Sequence, residues 1–149
     1  MNNRVIIYTD GACKGNPGIG GWGAYVKYSR ECKKIYGYEN CTTNNRMELK
    51  AAIMALSIFK IKTNIILYTD SKYLMDGISK WIVNWKQNNW KTSNKKDVKN
   101  LDLWKLIDEL NCFHYIEWKW VKGHSGNTGN EIADELANLA IFTKESVYE

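Results

Sequence analysis

Apolar positions along this 149-residue chain change their spacing several times, and each change marks an element. Residues 4–9 form a short β-prone run. Residues 22–28 and 34–38 alternate apolar with polar, as half-buried strands do, and a polar turn at Ser29-Arg30-Glu31 joins them. Links this short predict antiparallel neighbours. The period then lengthens. Leu49, Ala52, Ile53, Leu56 and Phe59 or Lys60 follow the i, i+3, i+4, i+7 rhythm of an amphipathic helix, with Thr43 or Asn44 placed to cap it. Residues 64–69 return to a strand pattern, and Ser71 caps a short helix reaching about residue 78. Residues 81–85 read as helical and 88–100 as a polar excursion. Residues 101–110 form a helix with Leu103, Leu106, Ile107 and Leu110 on one face. Residues 115–121 alternate as a strand. A loop at 123–129 leads to a helix at 130–142 with Ile132, Leu136, Leu139 and Ala140 inward. The expectation is an α/β fold: a mixed five-stranded sheet, three antiparallel strands and then two parallel ones, flanked by helices.

One pattern occurs twice. Ile6-Ile7-Tyr8-Thr9-Asp10 and Ile66-Leu67-Tyr68-Thr69-Asp70 are both apolar runs that stop at a carboxylate and a turn-type residue, Gly11 or Ser71. Lying parallel and adjacent, the two strands would carry both carboxylates to the carboxyl end of the sheet, where open α/β sheets bind ligands. Close aspartates repel, so the pair requires a shared proton or a cation. A hard divalent ion such as Mg²⁺ or Mn²⁺ suits carboxylate oxygen. The plainer alternative is that each Asp only forms a turn after its strand.

Composition narrows the setting. A chain of this length suits one domain spanning residues 1–149. No stretch is long and apolar enough to span a membrane. The start, Met1-Asn2-Asn3-Arg4, lacks the apolar region of a signal peptide. Cys13, Cys32, Cys41 and Cys112 have no metal-finger spacing and read as reduced thiols, so a cytoplasmic location is expected. The net charge is +5, and residues 81–100 supply most of it, with five lysines against one aspartate. A polyanionic partner is implied, with no membrane partner.

Four acids are candidates for one site: Asp10, Asp70, Glu48 in the early turns of its helix, and Asp134 beside the apolar stripe of the last helix. Glu48 and Asp134 taken singly also read as acids that favour a helix dipole. Together the four would make an oxygen-rich cage for two hard ions, the arrangement used for in-line phosphoryl displacement. His124, within Gly123-His124-Ser125-Gly126, is the proton-transfer candidate, or else an ordinary surface histidine. The glycine-rich segment at 11–21 is expected to be a loop. It lacks both the dinucleotide fingerprint and the Walker lysine. With Cys13, Asn16, Asn44 and Asn45 nearby it could approach the minor groove of an A-like duplex, or serve as a simple hairpin connection. Lys86, Lys91, Lys95, Lys96 and Lys99, interleaved with Trp81, Trp85 and Trp90, suit phosphate binding, with a solvated charged face as the alternative. Trp81 could pack on a nucleotide; Trp85 is expected to pack inward.

In combination, five motifs resemble type 1 ribonuclease H of the bacterial kind. They are Tyr-Thr-Asp-Gly with a following Gly-Asn-Pro-Gly, Thr-Thr-Asn-Asn-Arg-Met-Glu-Leu at 42–49, Tyr-Thr-Asp-Ser at 68–71, Trp-Val-Lys-Gly-His at 120–124 and Asn-Glu-x-x-Asp-Glu-Leu-Ala at 130–137. The resemblance runs from Val5 to about Ala140. It implies a ribonuclease H-like fold and an endonuclease that cuts the RNA strand of RNA–DNA hybrids, leaving 5′-phosphate and 3′-hydroxyl ends. It further implies Mg²⁺ or Mn²⁺ as cofactor, two ions per active site during catalysis, and a single catalytic domain acting as a monomer.

By that resemblance the metal ligands are Asp10, Glu48, Asp70 and Asp134. Asp10 bridges both ions, Asp70 helps hold the one that activates water, and Glu48 with Asp134 serves the leaving-group side. His124 matches a mobile-loop histidine tied to proton movement and product release. Cys13, Asn16, Asn44 and Asn45 match minor-groove contacts. Thr43 and Asn100 match a pocket for a DNA-strand phosphate, and 81–100 matches a basic protrusion. Two positions depart from the family pattern. Cys41 stands where an arginine is frequent, and a thiol cannot make a bidentate charged contact. Lys72 stands where glutamine is common, which turns one nucleic-acid contact electrostatic. Alternatives are a noncatalytic nucleic-acid binding module on the same fold, a ribonuclease H domain of a reverse transcriptase, and a recombinase or transposase core.

Overall fold

A computed structural model describes residues 4–123 and 125–148. Five strands, β1 (Val5–Gly15), β2 (Gly18–Tyr28), β3 (Glu31–Thr42), β4 (Asn64–Thr69) and β5 (Tyr115–Trp120), form one sheet in the order β3-β2-β1-β4-β5. The first three strands pair antiparallel; β1–β4 and β4–β5 pair parallel. The expected mixed topology is therefore present.

The repeated pentapeptide explains the centre of the sheet. β1 and β4 pair residue for residue, Ile6 with Ile66 through Thr9 with Thr69. Alternate residues face opposite ways along a strand, so zero offset between two copies stacks like on like. Tyr8 lies on Tyr68 with ring centroids 4.9 Å apart, while Ile7 and Leu67 are both fully buried.

Residues 11–21 depart from the loop expectation. Most of them are ladder: Gly11 pairs with Trp22, Cys13 with Gly20 and Lys14 with Ile19. Glycine is usually poor in a strand, but here its missing side chain makes room for helices. A Cβ on Gly11 would stand 2.5 Å from the backbone nitrogen of Glu48, and one on Gly23 would stand 2.6 Å from the carbonyl of Ala133. The close partners of these two glycines are the protein's own helices, one on each face of the sheet.

Those helices are α1 (Asn44–Leu56) and α5 (Thr128–Thr143). Thr43 caps α1 by accepting from Arg46 N at 3.2 Å, and Asn127 caps α5 by accepting from Asn130 N at 2.9 Å. α1 ends at Leu56, short of Phe59 and Lys60, where Ser57 turns its hydroxyl back onto the Ile53 carbonyl. Ser71 caps α2 (Lys72–Asp76), which runs through a π-helical turn (Gly77–Trp81) into α3 (Ile82–Gln87). Gly77 is needed there because a Cβ would stand 2.0 Å from the Trp104 ring.

Helix α4 (Leu101–Phe113) buries Leu103, Trp104 and Ile107. Leu106, expected inward, is exposed, because Trp104 fills the space beneath α2 and α3. Leu139 on α5 is likewise exposed, and Leu136, Ala137 and Ala140 make the buried stripe. Small alanines let α5 sit close on the glycines of β2. Among the described residues no helix is long and apolar enough to cross a membrane.

Candidate active site

The zero offset between β1 and β4 places Asp10 and Asp70 side by side at the carboxyl end of the sheet. Glu48 enters from α1, which the bare backbone of Gly11 admits to contact distance. Carboxylate oxygens of Asp10, Glu48 and Asp70 all lie within 4.8 Å of one another. Asp10 and Glu48 are each 5% exposed, whereas Asp70 is half-buried. Glu48 is therefore no helix-dipole acid: it lies in the second turn of α1, turned inward onto Asp10. Asp134, half-buried on α5, faces Asp10 closely enough for hydrogen bonding between the two carboxyls.

Electrostatics at this point are unfavourable without a counter-charge. Burial first, then the neighbouring Asp70 charge and the Asp134 contact, push the Asp10 carboxyl up to about 8. The Gly11 N–H, donating to Asp10 Oδ1 at 2.9 Å, opposes that shift only in part. Burial and the charges of Asp10 and Asp70 raise Glu48 well above the usual carboxylate range. Glu48 Oε1 is buried with no hydrogen-bond partner among the described residues. An orphaned oxygen amid like charges is the environment that a divalent cation relieves. The donor set is all carboxylate oxygen, which fits a hard ion such as Mg²⁺ or Mn²⁺.

His124 lies outside the described residues. Its neighbour Gly123 abuts the cluster, since a Cβ there would stand 2.8 Å from Asp70 Oδ2.

The remaining candidates fall into two groups. Asn16, Thr43, Asn44, Asn45 and Lys99 line one recess of about 90 Å³. Cys13 is adjacent, but its thiol is engaged with the carbonyl oxygens of Thr42 at 3.4 Å and Gly18 at 3.6 Å. Asn100 has φ of 61°, and its amide is held by Arg46 at 3.1 Å and by the Tyr73 hydroxyl at 3.0 Å. Arg46, which periodicity alone did not single out, also forms a two-pronged pair with Asp102 at 3.0 and 2.7 Å. The Thr-Thr-Asn-Asn-Arg motif held the signal for it. Cys41 is exposed on β3.

In the basic segment, Lys86 pairs with Asp108 and Lys91 with Asp97. Lys95, Lys96 and Lys99 make no ion pair among the described residues and are exposed. Trp81 and Trp85 are half-buried. Trp81 packs against Tyr73 at 5.6 Å, and Trp85 against Trp104 at 5.5 Å. Lys72 is exposed beside the acidic cluster, with its ammonium 4.7 Å from the centre of the Trp120 ring.

Comparison with known proteins agrees with this geometry. The RNase H family profile matches residues 2–142. A ribonuclease H from Francisella tularensis subsp. novicida is 65% identical over 139 residues, covering 93% of this chain and 91% of that protein. The crystal structure of LC9-RNase H1, a type 1 RNase H with the type 2 active-site motif, superposes with a TM-score of 0.87 at 32% identity, covering 98% of this chain and 75% of that one. LC11-RNase H1, solved in complex with an RNA/DNA hybrid, shares the fold at a TM-score of 0.71 and 24% identity, covering 94% and 98%. The chain belongs to the ribonuclease H family, of the bacterial type 1 kind, and is a nuclease.

Proposed function

We propose that this protein hydrolyses the RNA strand of RNA–DNA hybrids with two Mg²⁺ ions, leaving 5′-phosphate and 3′-hydroxyl ends. The observation that carries the proposal is the convergence of Asp10, Glu48 and Asp70 from β1, α1 and β4 within 4.8 Å, with Asp134 facing them. These four side chains would hold the ions, and Mn²⁺ suits the same oxygen set. Bound there, the ions supply charge neutralisation at the phosphate and an acidified water.

The chain's own residues do the rest. Buried Asp10 and Glu48 fix the floor of the site, because α1 is locked against Gly11. Half-buried Asp70 and Asp134 form its open side, toward the substrate. His124 is assigned to proton movement around the departing product. The recess formed by Asn16, Thr43, Asn44, Asn45 and Lys99, with Asn100 and Cys13 at its margin, is assigned to the duplex groove and a DNA-strand phosphate. Amide and hydroxyl groups there match sugar and phosphate oxygens, so recognition rests on shape and 2′-hydroxyls and not on base sequence. The Lys86–Lys99 segment adds sequence-independent attraction for phosphate.

The test uses end-labelled RNA–DNA, RNA–RNA and DNA–DNA duplexes of mixed sequence, each with Mg²⁺ and with chelator. Cutting confined to the RNA of the hybrid, only with metal, and spread over many sequences is expected. Inertness toward the hybrid in Mg²⁺ and in Mn²⁺ overturns the proposal.

A further inference from the structure

Trp120 closes β5 opposite Thr69, at the same end of the sheet as the acids. Trp120 is 42% exposed, so its indole is within reach of neighbouring groups at the rim of a charged site. Both ends of its indole are occupied. The ring N–H donates to the backbone carbonyl of Asp70 at 3.1 Å, one residue past the last β4–β5 ladder pair. The ring face carries the Lys72 ammonium at 4.7 Å. Two residues after Asp70, Lys72 opens α2, where the helix dipole disfavours a cation. Its attraction to the indole face offsets that cost and holds a long, flexible side chain in one place.

We infer that Trp120 is a positioning residue that couples the two: its N–H fixes the backbone of Asp70, and its face aims Lys72 at a substrate phosphate beside the scissile one. The inference rests on the nuclease reading above and deepens it. Lys72 contributes one phosphate contact. Trp120 contributes to binding through Lys72 and to turnover through Asp70.

Four variants separate these roles, each measured for kcat and KM on the hybrid, for hybrid affinity against salt in chelator, and for the melting shift caused by Mg²⁺. Lys72→Gln should raise KM about fivefold, with a much smaller fall in kcat, and reduce the salt slope by about one. Lys72→Arg should restore both, since guanidinium also stacks on indole. Trp120→Phe keeps a ring face but loses the N–H. It should lower kcat about tenfold and shrink the Mg²⁺-induced melting shift, with a near-normal salt slope. Trp120→Leu should show both defects. The inference is overturned if Lys72→Gln leaves the salt slope unchanged, or if Trp120→Phe keeps wild-type kcat and Mg²⁺ response. It is equally overturned if Trp120→Leu lowers the melting temperature alone. A wild-type protein that binds hybrid yet never cuts it overturns the nuclease reading instead, and the binding and melting measurements still judge Trp120.

Discussion

The acidic cluster and the basic segment carry opposite charge, and they carry it in opposite ways. Asp10 and Glu48 are buried, face one another, and have too few partners; Glu48 Oε1 has none among the described residues. Lys95, Lys96 and Lys99 stand in water on a segment whose weight is borne elsewhere, by Trp81, Trp85, Trp90, Trp104 and Tyr73 packed ring to ring. Desolvated like charges destabilise the fold until a cation arrives, whereas solvated charges cost the fold little and act at a distance. On the proposed function, the cluster would suit a small cation that relieves buried like charge, and the segment a long polyanion met through solvated charge.

The largest expected effect breaks the first half of that comparison. Asp10→Asn should lower cleavage ~10³-fold or more, as loss of a central catalytic group does. It should also stabilise the metal-free protein. A folded pKa of about 8 lies far above the ordinary carboxylate value, so the folded state keeps a proton that the unfolded chain releases. The Asp10 contribution to wild-type stability in chelator then falls as pH rises from about 4 to about 8 and levels off above that, and Glu48, whose carboxyl is raised as well, adds a loss in the same direction. The advantage of the asparagine variant should grow over the same window. His114 slopes the other way, because burial lowers its pKa and stability is lost as pH falls below about 6.5. It is common to both proteins and cancels in the difference. Paired melts in chelator across pH 4–9 check this. An advantage that shrinks with rising pH contradicts it.

Metal supplies the second effect. Mg²⁺ at a hundred times its Kd should add about 2.7 kcal/mol to the wild type, and much less to Asp10→Asn. Denaturant titrations with and without Mg²⁺ measure both. Equal stabilisation of the two proteins would mean the ion binds elsewhere.

Much of this contrast is visible in the bare sequence, and the reasons are specific. The twin pentapeptides, laid parallel and adjacent, implied that Asp10 and Asp70 meet at one end of the sheet, and the residue-for-residue pairing of β1 on β4 came with the structure. Five lysines in twenty residues marked the basic segment. Periodicity failed where a neighbour, and not the chain itself, decides the outcome. Residues 11–21 read as a loop because glycine is a poor strand former in isolation. Only the approach of α1 and α5 makes bare backbone an advantage there. Leu106 and Leu139 fit an apolar stripe by spacing, but Trp104 and the alanines of α5 took the core. Trp120 alternates as any strand residue would, and nothing local reveals the Asp70 carbonyl waiting for its N–H.

The third effect tests the basic half. Lys95→Gln, Lys96→Gln and Lys99→Gln together should weaken hybrid binding about tenfold at low salt and reduce the salt slope by up to three, leaving Mg²⁺ stabilisation unchanged. Lys99 should dominate, since it lines the recess with Asn16 and Thr43. Fluorescence titrations at several salt concentrations read the slope. An unaltered slope would show that these free lysines do not meet phosphate.

The smallest effect asks whether total charge or unpaired charge matters. Lys86 and Lys91 belong to the same segment, but Asp108 and Asp97 already neutralise them. Their partners would have to be abandoned, or shared, before either could grip a phosphate. Changing both to glutamine should thus weaken hybrid binding no more than about twofold and flatten the salt slope by less than one. The melts should move little as well, because half-exposed ion pairs contribute at most about 1 kcal/mol each. A double variant that binds as poorly as the Lys95, Lys96 and Lys99 triple would make the segment a plain sum of charges, with its pairing incidental. A clear gap between them would mean that Asp97 and Asp108 shape the surface, by neutralising Lys86 and Lys91 and leaving the charge of Lys95, Lys96 and Lys99 to meet phosphate.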